Sequence, residues 1–326
     1  MKKFLAVLLL GLALASALAL PPEALAMGSS AKEALKAGRM DEAITLLRAA
    51  TQEKSNPAEA WHLLSKAYLA LERWDDAVKA AEKAVALEPN NSDYHLWLGR
   101  AYGNKAENSP FWVAWGMAKK VRMEFEAAVR INANNVDART DLAEFFIEAP
   151  SMLGGGREKA VAEADRIAGQ NESAAHWVRG YLAEKDKDNA TAEKEYVAAV
   201  AASGNQAGRW LDVASFYRRT DQKSKMEAAV NKAIAAEKKS DETLYDAASI
   251  LFRAGRNFTL ASRLLRSYLK NPSSDEAPAF KAHYLLGQIL EKQGDKGGAA
   301  AEYEAALSLA HDFQNAQTAL KRVRGQ

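Results

Sequence analysis

The feature that most limits this chain is a spacing that returns. From Ala58 to Asn91, Trp61 stands at the fourth place of a 34-residue frame, Leu64 at the seventh and Tyr68 at the eleventh. Ala77, Ala81 and Ala84 follow at places twenty, twenty-four and twenty-seven, and Pro89 at thirty-two. Each type has a task. The large residues of a first helix fill the gap to a second, the small alanines let the two approach, and the proline stops the second helix. Two short helices cannot hide their apolar sides alone, so copies must stack. Copies do recur: Leu98, Gly99 and Tyr102 with Phe125 and Ala128; Leu142 and Phe146 with Ala160; Gly180 with Ala192, Tyr196 and Ala199. Then come Trp210 and Tyr217 with Ala233; Leu244, Leu251 and Gly255 with Pro272; and Leu286, Gly287 and Gly294 with Ala299, Tyr303 and Ala306.

This pattern resembles the tetratricopeptide-repeat (TPR) family along nearly the whole chain, in the manner of an exported bacterial TPR protein of an uncharacterised subgroup. It predicts an all-α fold: a right-handed α-solenoid of about seven TPR helix-turn-helix repeats, or about fourteen helices, with a C-terminal capping helix. Gly38, Ala43 and Ala50 mark a degenerate first repeat over 24–57, the solenoid proper runs over 58–311, and residues 312–326 form the capping helix and tail. Lys321, Arg322 and Arg324 suit the C-terminal end of that helix. Abundant Ala, Leu, Glu and Lys with only 8 Pro and 19 Gly agree with helix throughout.

Two repeats are stretched. Tyr102 and Phe125 lie 23 residues apart where 13 are expected, the surplus falling in Glu107 to Met117 with Phe111, Trp112 and Trp115. These aromatics could form an exposed knob, but packing against the neighbouring repeat is the expectation, since most large aromatics are buried. The second stretch, 148–156, holds Pro150 and Gly154 to Gly156. A glycine-rich turn before a helix can hold an anion, yet no Lys-Ser or Lys-Thr follows and no strand precedes, so a special inter-helix turn is expected.

Lys2 and Lys3 precede an apolar run, Phe4 to Leu20, that ends in small residues. This reads as a signal peptide over 1–19, cleaved after Ala17, Ala19 or Ala26, with an uncleaved membrane anchor as the alternative. The protein is therefore expected to be exported, periplasmic and soluble after cleavage. With both lysines removed, basic and acidic residues balance, which argues against a nucleic-acid partner. There is no Cys, hence no thiolate metal site or Cys nucleophile.

No cofactor and no catalytic constellation is predicted. His95, His176 and His283 share one repeat position and His62 stands one place later, so they fall a helix pair apart and are expected to pack at helix seams rather than bind metal. The resemblance implies that the second, fifth, ninth, twelfth and thirteenth places of each first helix line a concave groove. Those places give Glu59, His62 and Lys66; Asp93, Arg100 and Asn104; and the acidic Asp137, Thr140, Glu144 and Glu148. Later repeats supply Trp177, Tyr181, Leu211, Arg218, Arg219, Tyr245, Phe252, Arg253, Tyr284 and Gln288. Aromatics with arginine suit an interface centre. The family's carboxylate clamp needs Asn at the ninth place, and none stands there. The expected function is a non-enzymatic scaffold or adaptor of the cell envelope that binds a protein or peptide partner in the groove. The alternatives are a self-associating structural module and a glycan- or peptidoglycan-binding protein.

Overall fold

The structure is a computed structural model that describes residues 30–53, 57–236, 242–272, 274 and 276–325. The segment read as a signal peptide lies outside these residues. Helix follows helix, with no strand among the described residues. Helix α1 (30–36) pairs with α2 (Met40–Ala50), α3 (Pro57–Ala70) with α4 (Trp74–Leu87), α5 (Ser92–Glu107) with α6 (Phe111–Ile131), and α7 (Val136–Glu148) with α8 (Arg157–Ala168). The second half pairs α9 (Glu172–Lys185) with α10 (Asn189–Ala202), α11 (Ala207–Arg219) with α12 (Lys223–Ala235), α13 (Thr243–Arg253) with α14 (Phe258–Tyr268), and α15 (Ala279–Lys292) with α16 (Lys296–Leu309). Helix α17 (Gln314–Arg324) closes the series. Among the described residues the degenerate first repeat is a hairpin, and seven more follow it.

The hairpin turns explain the period. Gly38, Glu72, Lys187, Asp221, Gly255 and Gly294 all have positive φ at the turn between the two helices of a pair. The next residue's N–H then reaches back to a carbonyl five residues earlier, as from Arg73 to Tyr68, Gln222 to Tyr217 and Asp295 to Leu290. This closes the first helix by satisfying its last carbonyls. The second helix starts just beyond, with Asp188 and Asp295 accepting from backbone N–H groups of α10 and α16. Asn91, Asn135 and Asn171 cap α5, α7 and α9 in the same way.

Within a pair, glycine lets a ring lie on backbone. A Cβ at Gly287 would stand 2.5 Å from the Tyr303 ring, and one at Gly99 2.4 Å from the Phe125 ring. Buried side chains form a band that passes from hairpin to hairpin rather than one central core.

The band also joins its own ends. Phe280, Ala306, Ala310, Phe313 and Ala316 share one apolar cluster with Leu47, Leu64 and Tyr68 of the first hairpins. Gly38 lies so close to Ala279 that a Cβ would sit 2.4 Å from its backbone nitrogen. Around this seam Arg73 Nη1 donates to Asp312 Oδ2 at 3.3 Å, the His311 N–H to Asp41 Oδ2 at 3.0 Å, and Asn315 Nδ2 to Glu72 Oε2 at 2.8 Å. The solenoid is therefore curled until its last hairpin and α17 dock on its first.

Candidate interaction surface on the concave wall

First helices of successive pairs touch one another, α3 with α5, α5 with α7, α7 with α9 and α11 with α13, which puts them on the inner wall, the side toward which the solenoid curls. At its start Lys66 Nζ and the Arg100 guanidinium sit 4.6 and 4.9 Å from the Trp97 ring centre. Arg100 is also held by Asp141, with Nε 2.6 Å from Oδ2. Burial pushes the Asp141 carboxyl up, against the opposing pull of Arg100. Glu144, one turn further along α7, makes no hydrogen bond or ion pair among the described residues. Desolvation inside the concavity, and then the carboxylates of Asp141, Glu148 and Glu107, push it up to about 7. Its side chain is open to solvent, so this value reflects the surrounding wall rather than burial in a core. Glu148 is paired: it accepts from Tyr181 and forms an ion pair with Lys185 at 2.5 Å.

Trp177 and Tyr181 stack with centroids 5.4 Å apart. Arg219 is bidentate on Glu184, at 2.5 and 2.8 Å. Arg218 and Arg253 have no carboxylate partner among the described residues, and the buried Nε of Arg218 has no acceptor. Desolvation and the two neighbouring cations, Arg219 and Arg253, push Arg218 below the usual arginine range. Arg253 and Tyr245 border a cavity of about 470 Å³ between α11 and α13, together with Asp212 and Asp246. Burial, with Glu242 and Glu276, pushes Asp246 up to about 6. Glu276, on the connection between α14 and α15, also acts on Arg100, so charges interact across the curl.

The other groove residues face elsewhere as well. Phe252 lies 6.2 Å from Phe258 across its hairpin, and Tyr245 6.4 Å from Tyr268. Tyr284 stands 5.1 Å from Phe313, half-buried in the closing seam rather than free in a groove. Trp97 and Asp141 were missed as wall residues, though Trp97 and Arg100 stand three apart and so share a helix face.

The insertion departs from expectation. It lengthens α5 and α6, and at the start of α6 Phe111 and Trp112 are 73% and 76% exposed, so they do not pack on a neighbour. The glycine-rich turn behaves as an inter-helix connection. Its glycine N–H groups bond inward, Gly155 to Pro150, Gly154 to Ser151 and Gly156 to Phe146, so none of the three is free for an anion. A Cβ at Gly155 would stand 1.7 Å from the Ala149 oxygen.

The histidines meet glutamates of their own hairpins. His95 meets Glu124 at 2.6 Å, His176 meets Glu195 at 2.7 Å and His283 meets Glu302 at 2.7 Å. His62 stacks on Tyr94 at 5.0 Å. No group of three or more metal-capable side chains occurs among the described residues. No described helix is long and apolar enough to cross a membrane.

Residues 34–101 and 245–319 each match a Tetratricopeptide repeat family profile. The chain is a tetratricopeptide-repeat protein. Protein O-mannosyl-transferase TMTC3 of Homo sapiens is 22% identical over 285 residues, covering 83% of this TPR protein and 30% of that one. The Peroxisomal targeting signal receptor of Yarrowia lipolytica is 29% identical over 122 residues, covering 35% and 20%. The TPR chain therefore spans less than a third of either curated relative. Among solved structures, a thermophilic TPR protein of Thermus thermophilus aligns with a TM-score of 0.49 at 18% identity, over 59% of this chain and 98% of that one. The TPR architecture supports a protein–protein interaction scaffold.

Proposed function

We propose that this TPR protein is a non-enzymatic adaptor of the cell envelope that holds a partner segment against the wall between Trp177 and Arg253. The observation that carries the reading is Arg218 beside Arg253: two wall cations in no ion pair among the described residues, next to half-buried Trp177, Tyr181 and Tyr245. Unpaired arginine with aromatics invites a partner's carboxylate and apolar side chains. Export rests on Lys2, Lys3 and the apolar run after them. The non-catalytic reading rests on the repeat architecture. Of the wall's acids, Asp141, Glu148 and Glu184 are each engaged by a neighbouring base, while Glu144 and Asp246 are in no ion pair among the described residues. The mannosyl-transferase name belongs to a relative of which this chain spans 30%. The docked ends occupy the surfaces that stacking between copies would need, which favours an adaptor over a self-assembling module.

Replacing Arg218, Tyr245 and Arg253 together with alanine tests the reading. Proximity labelling in the native envelope should lose its principal labelled partner while circular dichroism stays that of the parent. An unchanged set of labelled proteins would overturn it.

A further inference from the structure

The cavity under the insertion stands apart from the Arg218–Arg253 wall. It holds about 600 Å³ between α5, the start of α6 and α7. Its sides are apolar, from Phe111, Trp115, Val121 and Phe145. Its acids are Glu107, Asp141, Glu144 and Glu148, and its one base, Arg100, is already bound to Asp141. Glu107 and Glu144 take part in no hydrogen bond or ion pair among the described residues, and each lies close enough to act on the other. The lining thus carries surplus negative charge beside an aromatic surface.

The apolar surface does not stop at the cavity. Trp112 and Met152, both outside the lining, are 76% and 75% exposed. A small ligand filling the cavity would leave them in water, whereas a segment lying across the rim would cover them. The Phe111–Trp115 pair, 5.6 Å apart, offers a rigid anchor at low cost in side-chain entropy.

We propose that this cavity docks an amphipathic helical segment of a partner protein, with the segment's apolar face on Phe111, Trp112 and Trp115 and its lysine or arginine on Glu107 and Glu144. The proposal rests on the interaction-scaffold reading but uses other residues, so the two can fail separately. Helix-in-groove recognition works through such spaced apolar anchors, and the wall's charge selects a basic segment over an acidic one.

The test uses the full chain and a synthetic helical peptide of about five turns with a leucine face and a lysine face, against the same peptide with glutamate for lysine. Calorimetry and tryptophan fluorescence read the binding. The leucine–lysine peptide should bind and the leucine–glutamate peptide should not. Glu107→Gln with Glu144→Gln, and separately Phe111→Ser with Trp112→Ser, should each weaken binding about tenfold or more, consistent with loss of a charge pair or an aromatic anchor. The Arg218, Tyr245 and Arg253 triple variant should leave it unchanged. These four substituted positions are solvent-open, and circular dichroism confirms that each variant is folded. No binding, equal binding of both peptides, binding indifferent to both variant pairs, or loss in the triple variant would each overturn the proposal.

Discussion

His95 Nδ1 lies 2.6 Å from Glu124 Oε2, while its Nε2 lies 3.0 Å from the Pro89 carbonyl oxygen. Two acceptors require two donors, and only the protonated ring has both. The Glu124 hydrogen bond raises His95 above its ordinary 6.5, against an opposing pull from desolvation. A raised native value means that the folded state holds the proton more tightly. The pair's stability is therefore fully present below about pH 6.5 and lost as pH rises through the native value. Glu124→Gln should cost about 1–2 kcal/mol at pH 6 and little at pH 9, read from urea unfolding at both. Equal losses would refute the protonated pairing.

The same residues show what the sequence revealed. His176 to Glu195 and His283 to Glu302 are separated by 19 residues, and His95 to Glu124 by 29. Gly180 to Tyr196 and Gly287 to Tyr303 are separated by 16, and Gly99 to Phe125 by 26. The ten-residue surplus is the insertion placed between Tyr102 and Phe125, and the hairpins of His176 and His283, which carry no insertion, share one spacing. Hairpins are local, so their spacing survives in sequence. The closing seam is not local: Phe313 meets a cluster containing Leu64, and no periodicity records the curvature that brings them together. The exposure of Phe111 and Trp112 was likewise hidden, because a large aromatic reads the same in a core and on a rim.

Gly287→Ala tests the close approach within a hairpin. The new methyl would meet the Tyr303 ring at 2.5 Å, and Tyr303 is itself fully buried and hydrogen-bonded to Glu291 at 2.8 Å. The ring has no room to retreat, so overpacking should cost about 1–3 kcal/mol. A loss below half that in chemical unfolding would show that the seam is slack.

Lys187 and Asp221 hold positive φ at turns where Gly38, Gly255 and Gly294 serve elsewhere. A side chain in that conformation costs about 1–2 kcal/mol, partly offset by the entropy glycine loses on folding. Lys187→Gly should therefore stabilise the protein by a few tenths to about 1 kcal/mol. The Lys187 side chain is exposed, so little else changes. A lower melting temperature would contradict this account of the turn.

Glu144→Gln should separate stability from binding. With Glu144 pushed up to about 7 from an ordinary 4.5, the native state binds more protons than the unfolded state between these values. Stability therefore falls as pH rises across that window. The glutamine variant should be more stable than the parent at pH 8 and indistinguishable at pH 4. Solvent screening at this open side chain keeps the gain to about 1 kcal/mol or less. A strained acid that weakens its own fold is characteristic of binding surfaces. A variant less stable than the parent at pH 8 would argue that Glu144 is a structural partner instead.

Phe313→Ala probes the closure. The ring is 1% exposed, 5.0 Å from Phe280 and 5.1 Å from Tyr284, in the cluster that also contains Leu47 and Leu64. Removing it leaves a void between the first and last hairpins, at a cost of about 3–5 kcal/mol if the ends unfold as one unit with the rest. A solenoid offers another outcome, since each hairpin is held mainly by its neighbours. If the seam is the weakest joint, the curl opens while the hairpins persist. The radius of gyration from small-angle scattering would then rise with little loss of helicity, and the polar contacts Arg73–Asp312 and Asp41–His311 would not suffice to keep the ends together, because both are solvent-accessible and weakened by salt. An unchanged radius together with unchanged stability would mean that the ends are joined by something other than this aromatic cluster.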